Sequence, residues 1–207
     1  INSPPAERLP VKTTICANDD PCIHDAIMRE YQRGGQIYYC VNDIARLEDI
    51  KKRLKISYPE IEICIAHGQM PAKQIEHVMN LFYTQQCQLL ICTTLIESGL
   101  DIPNANTLII ERADLMGMAQ LHQLRGRVGR SYQQAFAYLG LPSGYPVSKD
   151  TQARLDALVT HQSLGAGFKI AVEDLELRGA GEIFGSKQSG SMQQVGMATY
   201  IKLLERN

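Results

Sequence analysis

Short apolar runs alternate with amphipathic segments along the first two thirds of the chain. Each run is too short for a typical helix and is bounded by polar or turn-forming residues, which predicts a buried strand. The predicted strands cover residues 11–16, 36–41, 61–66, 89–93, 107–111 and 135–141. Continuous apolar strands that alternate with helices form parallel sheets covered on both faces, so the pattern predicts the α/β class.

Amphipathic segments between these strands predict the helices. Asp20 and Pro21 begin the first helix as N-cap and first helical residue, and Gly34 with Gly35 ends it. Apolar residues at helical spacing after Pro71 predict another helix. Further helices are expected from about residue 43, over about 118–127, over 148–161 and over 192–205.

The pattern divides the chain into three parts. Residues 1–20 form an entry segment with the first strand, residues 21–142 form an α/β lobe, and residues 143–207 form an appendage without a separate core. A glycine-rich stretch over 175–190 lies in the appendage. In parallel sheets the loops at the carboxyl ends of the strands carry the functional site, so chemistry is expected there.

The net charge, the apolar runs and the cysteine pattern exclude several classes of protein and of binding site. The 207 residues carry a formal net charge of −1, so a polyanion site has to be a local cluster rather than a basic face. Runs of about 18 apolar residues, which a transmembrane helix needs, do not occur, and the first residues do not resemble a secretory signal. The six cysteines form no CxxC pair or zinc pattern; we expect no metal site and a reducing, cytoplasmic environment.

An arginine-rich motif, QLRGRVGR, covers residues 123–130. On a continuing helix, Gln123, Arg127 and Arg130 would share one face, although Gly126 and Gly129 also permit a helix end. Two arginines on a rigid element can stabilise the charge that develops on a transferring phosphoryl group. A solvated basic face is the alternative interpretation.

Three loops that follow predicted strands carry polar residues suited to phosphate. Thr93 and Thr94 can offer hydroxyl and backbone N–H groups. Gly99 permits a tight turn, and Glu97 and Asp101 can orient an arginine or a ribose. The other two loops begin with Asn42-Asp43 and with His67-Gly68. All three are expected to line one edge of the sheet, although Asn42 and Asp43 also suit helix capping and His67 also suits a strand-end hydrogen bond.

Four of these segments together resemble helicase motifs. VND at 41–43, HGQM at 67–70, CTTLIESGLDIPNANT at 92–107 and QLHQLRGRVGR at 120–130 resemble motifs IV, IVa, V and VI in the second RecA-like lobe of superfamily 2 helicases. The stretch 174–190, DLELRGAGEIFGSKQSG, resembles the TRG element shared by RecG-type helicases and bacterial transcription-repair coupling factors. LGAGF at 164–168 and VGMATYIKLLE at 195–205 look like the coupling-factor family.

The resemblance implies a fragment of an ATP-dependent translocase on double-stranded DNA that displaces stalled RNA polymerase and recruits excision-repair proteins through other domains. Arg127 and Arg130 would be arginine fingers, Gln123 would sense the nucleotide, and Glu97 and Asp101 would support the fingers. Five residues would meet DNA phosphates or position those that do: Asn42, His67, Gly68, Thr93 and Thr94. Arg178 and Gln188 would couple lobe closure to DNA movement.

Neither a GxxxxGK[ST] phosphate loop nor an Asp-Glu pair at a strand end occurs in the sequence. ATP and Mg²⁺ would therefore be bound mainly by a first lobe outside this chain, and the isolated chain is expected to be inactive. Two other interpretations stay open: the motor lobe of a RecG-type fork-remodelling helicase, and a catalytically inactive RecA-like binding module.

Overall fold

Six strands pair in one sheet within the residues that the computed structural model describes, namely 9–93, 102–144 and 146–161. The strands are β1 Lys12–Ala17, β2 Gln36–Cys40, β3 Ile63–Ala66, β4 Leu89–Cys92, β5 Ala105–Ile110 and β6 Phe136–Leu141. All pairs are parallel, and the order across the sheet is β1-β6-β5-β2-β4-β3. The predicted parallel α/β class is confirmed.

Five α-helices lie in the same described ranges. They are α1 Pro21–Gln32, α2 Leu47–Ser57, α3 Ala72–Tyr83, α4 Met118–Arg125 and α5 Lys149–Thr160. Short 3-10 helices at Ile44–Arg46 and Ala113–Leu115 precede α2 and α4. None of these described helices combines the length and the apolar character that crossing a membrane requires.

The predicted start and end of α1 are confirmed in atomic detail. The Asp20 side chain accepts a hydrogen bond from the Cys22 amide at 2.8 Å, and Pro21 is the first helical residue. Beyond the helix, Gly34 has a φ of 71°, a conformation that glycine adopts without a steric penalty. The chain can therefore turn directly from α1 into β2.

Alternate residues of each buried strand point to opposite faces of the sheet. Helices pack against both of these faces. On one face Tyr38 and Cys40 pack with side chains of α3, α4 and α5. On the other face Ile37 and Tyr39 pack with side chains of α1 and α2. Leu158 of α5 is 1% exposed, so the described beginning of the predicted appendage packs on the lobe. The predicted elements over 175–190 and 192–205 lie outside the described residues.

A buried ion pair holds the end of α1 against the sheet. Glu30 has no solvent exposure, and its Oε2 lies 2.5 Å from Nη2 of Arg33. The same carboxylate accepts a hydrogen bond from the Thr107 hydroxyl in β5, and Arg33 Nη1 donates to the Gln134 carbonyl at 2.9 Å. Breaking a buried ion pair is costly because the remaining charge is left uncompensated. This network therefore fixes α1 relative to β5 and to the segment that precedes β6.

We predict that Gly35→Ala destabilises the lobe, because a Cβ at this position would overlap Oε1 of Glu30. Displacing the buried carboxylate should lower the free energy of unfolding by about 2 kcal/mol. Gly34→Ala is the matched control: it has open space, and its positive φ should cost about 1 kcal/mol. Urea unfolding of both variants measures the difference, and an equal loss would contradict the prediction.

Candidate functional site

Three of the predicted DNA-contacting positions lie side by side at the carboxyl edge of the sheet. β2, β4 and β3 are neighbours, and their last residues are aligned, because Cys92 pairs with both Cys40 and Ala66. Asn42, Thr93 and His67 follow these three strand ends. The predicted shared edge is confirmed for these residues, while their roles toward DNA stay predictions.

The loop after β2 is fixed by two side chains with different partners. The Asp43 side chain accepts a hydrogen bond from the Ala45 amide at 2.9 Å and caps the 3-10 helix Ile44–Arg46, as the capping interpretation expects. Asn42 does not cap this helix; its Nδ2 donates to the Arg112 carbonyl at 3.1 Å and joins this loop to the residues that follow β5. Asn42 is otherwise exposed at the edge.

The loops after β3 and β4 differ in how much polar surface they expose. Gly68 is exposed and His67 is half-buried; the His67 carbonyl accepts from the Met70 amide at 3.1 Å, which closes a turn. Nδ1 of His67 is buried and has no hydrogen-bond partner among the described residues. Thr93 is only 9% exposed, so its side chain contributes less surface than the sequence suggests.

Gln123, Arg127 and Arg130 do not share one helical face, because the helix ends before the two arginines, as Gly126 permits. α4 ends at Arg125, Gly126 is its C-cap, and Gly129 has a φ of 75°. This φ lies outside the helical region, so the backbone changes direction between the two arginines. Gln123 remains exposed on the last turns of α4, whereas Arg127 and Arg130 lie on the following segment.

This arginine segment passes the amino ends of the strands. A Cβ on Gly129 would lie 3.0 Å from Cβ of Ala135 and 3.3 Å from Cγ2 of Val11, the residues immediately before β6 and β1. Burial raises the pKa of Tyr38, and the positive charges of Arg130 and Arg127 oppose this effect from nearby. Arg127 and Arg130 are both half-buried, so part of each residue is accessible to a ligand.

The candidate residues thus occupy two opposite edges of the sheet. Strands of 4 to 6 residues span roughly 13 to 20 Å, and this length separates the Asn42 edge from the arginine segment. Guanidinium groups suit a phosphoryl group at one edge, and amide, imidazole and backbone groups suit a nucleic acid backbone at the other. Each edge can therefore bind a different ligand.

Arg125, inside the same motif, has a structural role that the sequence analysis missed. It is 7% exposed; its Nη1 donates to the Leu158 carbonyl at 2.8 Å, and its Nη2 lies 3.0 Å from Nδ1 of His122. Burial lowers the pKa values of both side chains, and the Arg125 charge lowers that of His122 further. Arg125 therefore fastens the end of α5 to α4, a contact between residues 33 positions apart.

Several predicted site residues lie outside the described residues. They are Thr94, Glu97, Gly99, Asp101, Arg178 and Gln188. Within the described ranges, no group of three or more His, Cys, Asp or Glu side chains is arranged to hold a metal ion.

Comparison with known proteins identifies relatives for almost the whole chain. The model of the helicase conserved C-terminal domain matches residues 21–132. The chain is 51% identical over 205 residues to the transcription-repair-coupling factor of Haemophilus influenzae and 52% identical over 205 residues to that of Escherichia coli. Each alignment covers 99% of this chain but 18% of the relative, so the chain spans less than a fifth of these proteins' length.

A solved structure supports the same fold. RecG bound to a three-way DNA junction superimposes with a TM-score of 0.74 and 30% identity, over 99% of this chain and 27% of that chain.

We predict that the stability of the lobe decreases as the pH falls below about 6.5, because the His122 pKa is lowered in the folded state. Below its ordinary value of 6.5, His122 takes up a proton in the unfolded chain but resists protonation beside Arg125, so protons favour unfolding. His122→Asn should flatten the pH dependence of urea unfolding between about pH 7 and about pH 5. His77→Asn, an exposed residue of α3, is the control; equal flattening by both would contradict the prediction.

Proposed function

The chain belongs to the helicase conserved C-terminal domain family, and we propose that it is the second motor lobe of an ATP-dependent translocase on double-stranded DNA that couples transcription to excision repair. In this proposal the arginine segment completes an ATP site shared with a first lobe. The carboxyl edge of the sheet contacts the DNA backbone. Displacement of stalled RNA polymerase and recruitment of repair proteins would use other domains of the full-length protein.

The position of Arg127 and Arg130 carries the proposal. They lie beyond the end of α4, half-buried, on a segment held against the strand starts by close packing around Gly129. The sequence contains no phosphate loop, so a phosphoryl group that meets these arginines would be held by a neighbouring lobe. Arginines on such a segment can stabilise the charge that develops on the phosphoryl group in the transition state.

Support for DNA contact comes from the opposite edge. Asn42, Thr93 and His67 follow adjacent strands there, and Gly68 leaves its backbone exposed. Such groups contact phosphates and sugars without reading sequence, which suits a translocase that moves along any DNA. Because the net charge is −1, we expect binding to depend on a few local contacts and to weaken steeply with salt.

Among helicase functions, the coupling-factor function is the better supported. The chain is about half identical to two transcription-repair-coupling factors and 30% identical to RecG, with nearly full coverage of the chain in each case. Fork remodelling of the RecG type is the alternative. Release of a stalled RNA polymerase by the full-length protein, compared with reversal of a model replication fork, separates the two functions.

ATP and Mg²⁺ enter this proposal as ligands held mainly by the first lobe. The residues of this chain would supply the two arginines, with Gln123 near them and Glu97 and Asp101 as supporting carboxylates. Hydrolysis by the isolated chain is not expected, because its sequence lacks the phosphate loop. The proposed site is shared between lobes.

In the full-length protein, Arg127→Ala or Arg130→Ala should lower ATP turnover by about 10³-fold while ATP binding changes little. The reason is that a finger acts on charge that develops only in the transition state. Arg154→Ala, on α5 and hydrogen-bonded to Thr151, is the control arginine. ATPase kinetics with separate nucleotide-binding measurements test this, and normal turnover in both variants would assign the pair a structural role.

A second prediction concerns Arg178 and Gln188, which we propose pass lobe closure on to DNA. Arg178→Ala or Gln188→Ala in the full-length protein should leave ATP hydrolysis largely intact, because these residues belong to no phosphate-binding motif. Translocation, measured by triplex displacement or release of stalled polymerase, should be lost. A parallel fall of both activities in a folded variant would assign the element to the ATP site instead.

A further inference from the structure

A buried carboxylate at the carboxyl edge of the sheet holds two arginines together. Glu111 follows the last residue of β5, and its side chain is 4% exposed. Its Oε1 lies 2.9 Å from Nη2 of Arg46 and 3.6 Å from Nη2 of Arg53. Arg53 also interacts with the hydroxyl of Tyr39. One carboxylate therefore positions two guanidinium groups, one from the 3-10 helix Ile44–Arg46 and one from α2.

These two arginines keep accessible donors although they are paired. The side chains of Arg46 and Arg53 are 45% and 58% exposed. Each guanidinium carries five N–H donors; the contact with Glu111 involves one Nη2 of each, and Arg53 also interacts with the Tyr39 hydroxyl. Two positive charges against one negative charge leave the cluster with a net charge of +1. The remaining donors can therefore bind an anion from solvent.

Arg112, at the same edge of the sheet, is paired differently from Arg46 and Arg53. Arg112 donates from Nε and Nη2 to the two carboxylate oxygens of Asp114, at 2.9 and 2.7 Å. This bidentate pair neutralises Arg112 and occupies its planar fork. Arg46 and Arg53 share one oxygen instead, and this arrangement retains both net charge and donors.

The cluster is continuous with the Asn42 edge. The Glu111 amide donates to the Cys40 carbonyl at 3.0 Å, and Asn42 Nδ2 donates to the Arg112 carbonyl. Glu111 and Asn42 thus lie on neighbouring chain segments at the same end of β2 and β5. An extended polyanion that contacts Asn42 can reach the two arginines as well.

From this geometry we infer that Arg46 and Arg53 form a second contact for the DNA backbone beside Asn42, with Glu111 as the residue that positions them. The ligand class is a phosphodiester, since paired planar guanidinium groups match phosphate oxygens. The inference rests on the proposed DNA translocase function. It extends the DNA-contacting surface from the strand-end loops to the beginning and middle of α2.

The test measures binding of the full-length protein to a double-stranded DNA oligonucleotide of random sequence at several salt concentrations. Arg46→Gln and Arg53→Gln should each lower the slope of log affinity against log salt by about 0.9, and the double variant by about 1.8. Lys52→Gln is the matched control: Lys52 lies in the same helix, is 75% exposed, and is 3.9 Å from Asp49 rather than near Glu111. It should keep the wild-type slope.

Glu111→Gln separates positioning from charge. This variant loses one negative charge, so a purely electrostatic effect would tighten DNA binding. If Glu111 positions both arginines, its replacement should weaken DNA binding instead. The DNA concentration that half-saturates ATP hydrolysis should then rise by a larger factor than the factor by which the maximal rate falls. Tighter or unchanged binding would overturn the role of Glu111. If a glutamine variant of either arginine unfolds, combining it with Glu111→Gln removes the unpaired buried carboxylate and restores a testable protein.

The outcomes distinguish the inference from the proposed function. Wild-type slopes in both arginine variants overturn the inference and leave the translocase proposal intact. Loss of ATP hydrolysis in the absence of DNA, with a wild-type salt slope, also overturns it and places the pair against another part of the motor. Absence of DNA binding by the wild-type protein contradicts the proposed function itself.

Discussion

The arrangement of the candidate sites depends on one constraint, namely that the six strands in the described part of the chain all run in the same direction. Every strand therefore ends at the same edge, and each connection has to return across a face of the sheet to begin the next strand. Residues far apart in the sequence, such as Asn42, His67 and Thr93, come to lie at that edge for this reason. The same constraint returns α4 to the opposite edge, where the arginine segment begins.

Buried charges fix the elements that this topology brings together. Glu30 joins the end of α1 to β5, and Arg125 joins α4 to the end of α5. Glu111 holds Arg46 against the end of β5 in the same way. Each buried charge has an opposite charge or a carbonyl as partner, and this compensates for its desolvation. Apolar packing alone would leave these helix ends free to shift.

Most of the fold can be predicted from the sequence, because helix caps, turn glycines and apolar strand patterns depend on residues that are close together in the chain. Asp20 before Pro21 and the Gly34-Gly35 pair specify the limits of α1 through capping and backbone conformation, which neighbouring residues determine. The apolar strands are equally clear, although β5 starts at Ala105, earlier than expected, because Ala105 pairs with Gln36 of β2. This pairing is a tertiary contact that periodicity along one strand does not contain.

The candidate site is less predictable for the same reason. Helical spacing suggested a continuous face through Arg130, but the positive φ of Gly129 depends on close packing against Val11 and Ala135. The charge of Arg125 suggests a surface position, and its burial depends on a carbonyl 33 residues away. The motifs locate the chemistry along the chain; the partners of individual side chains come from the assembled sheet.

Separation of the two edges has a mechanical consequence under the proposed function. ATP would act on the arginine segment, and DNA would lie at the Asn42 edge, roughly 13 to 20 Å away. Between them β2, β4 and β5 are buried at every residue, and helices pack on both faces of the sheet. A close-packed interior is barely compressible, so a force applied at one edge moves the other edge with it. The lobe would therefore transmit ATP-driven motion to DNA as a rigid body.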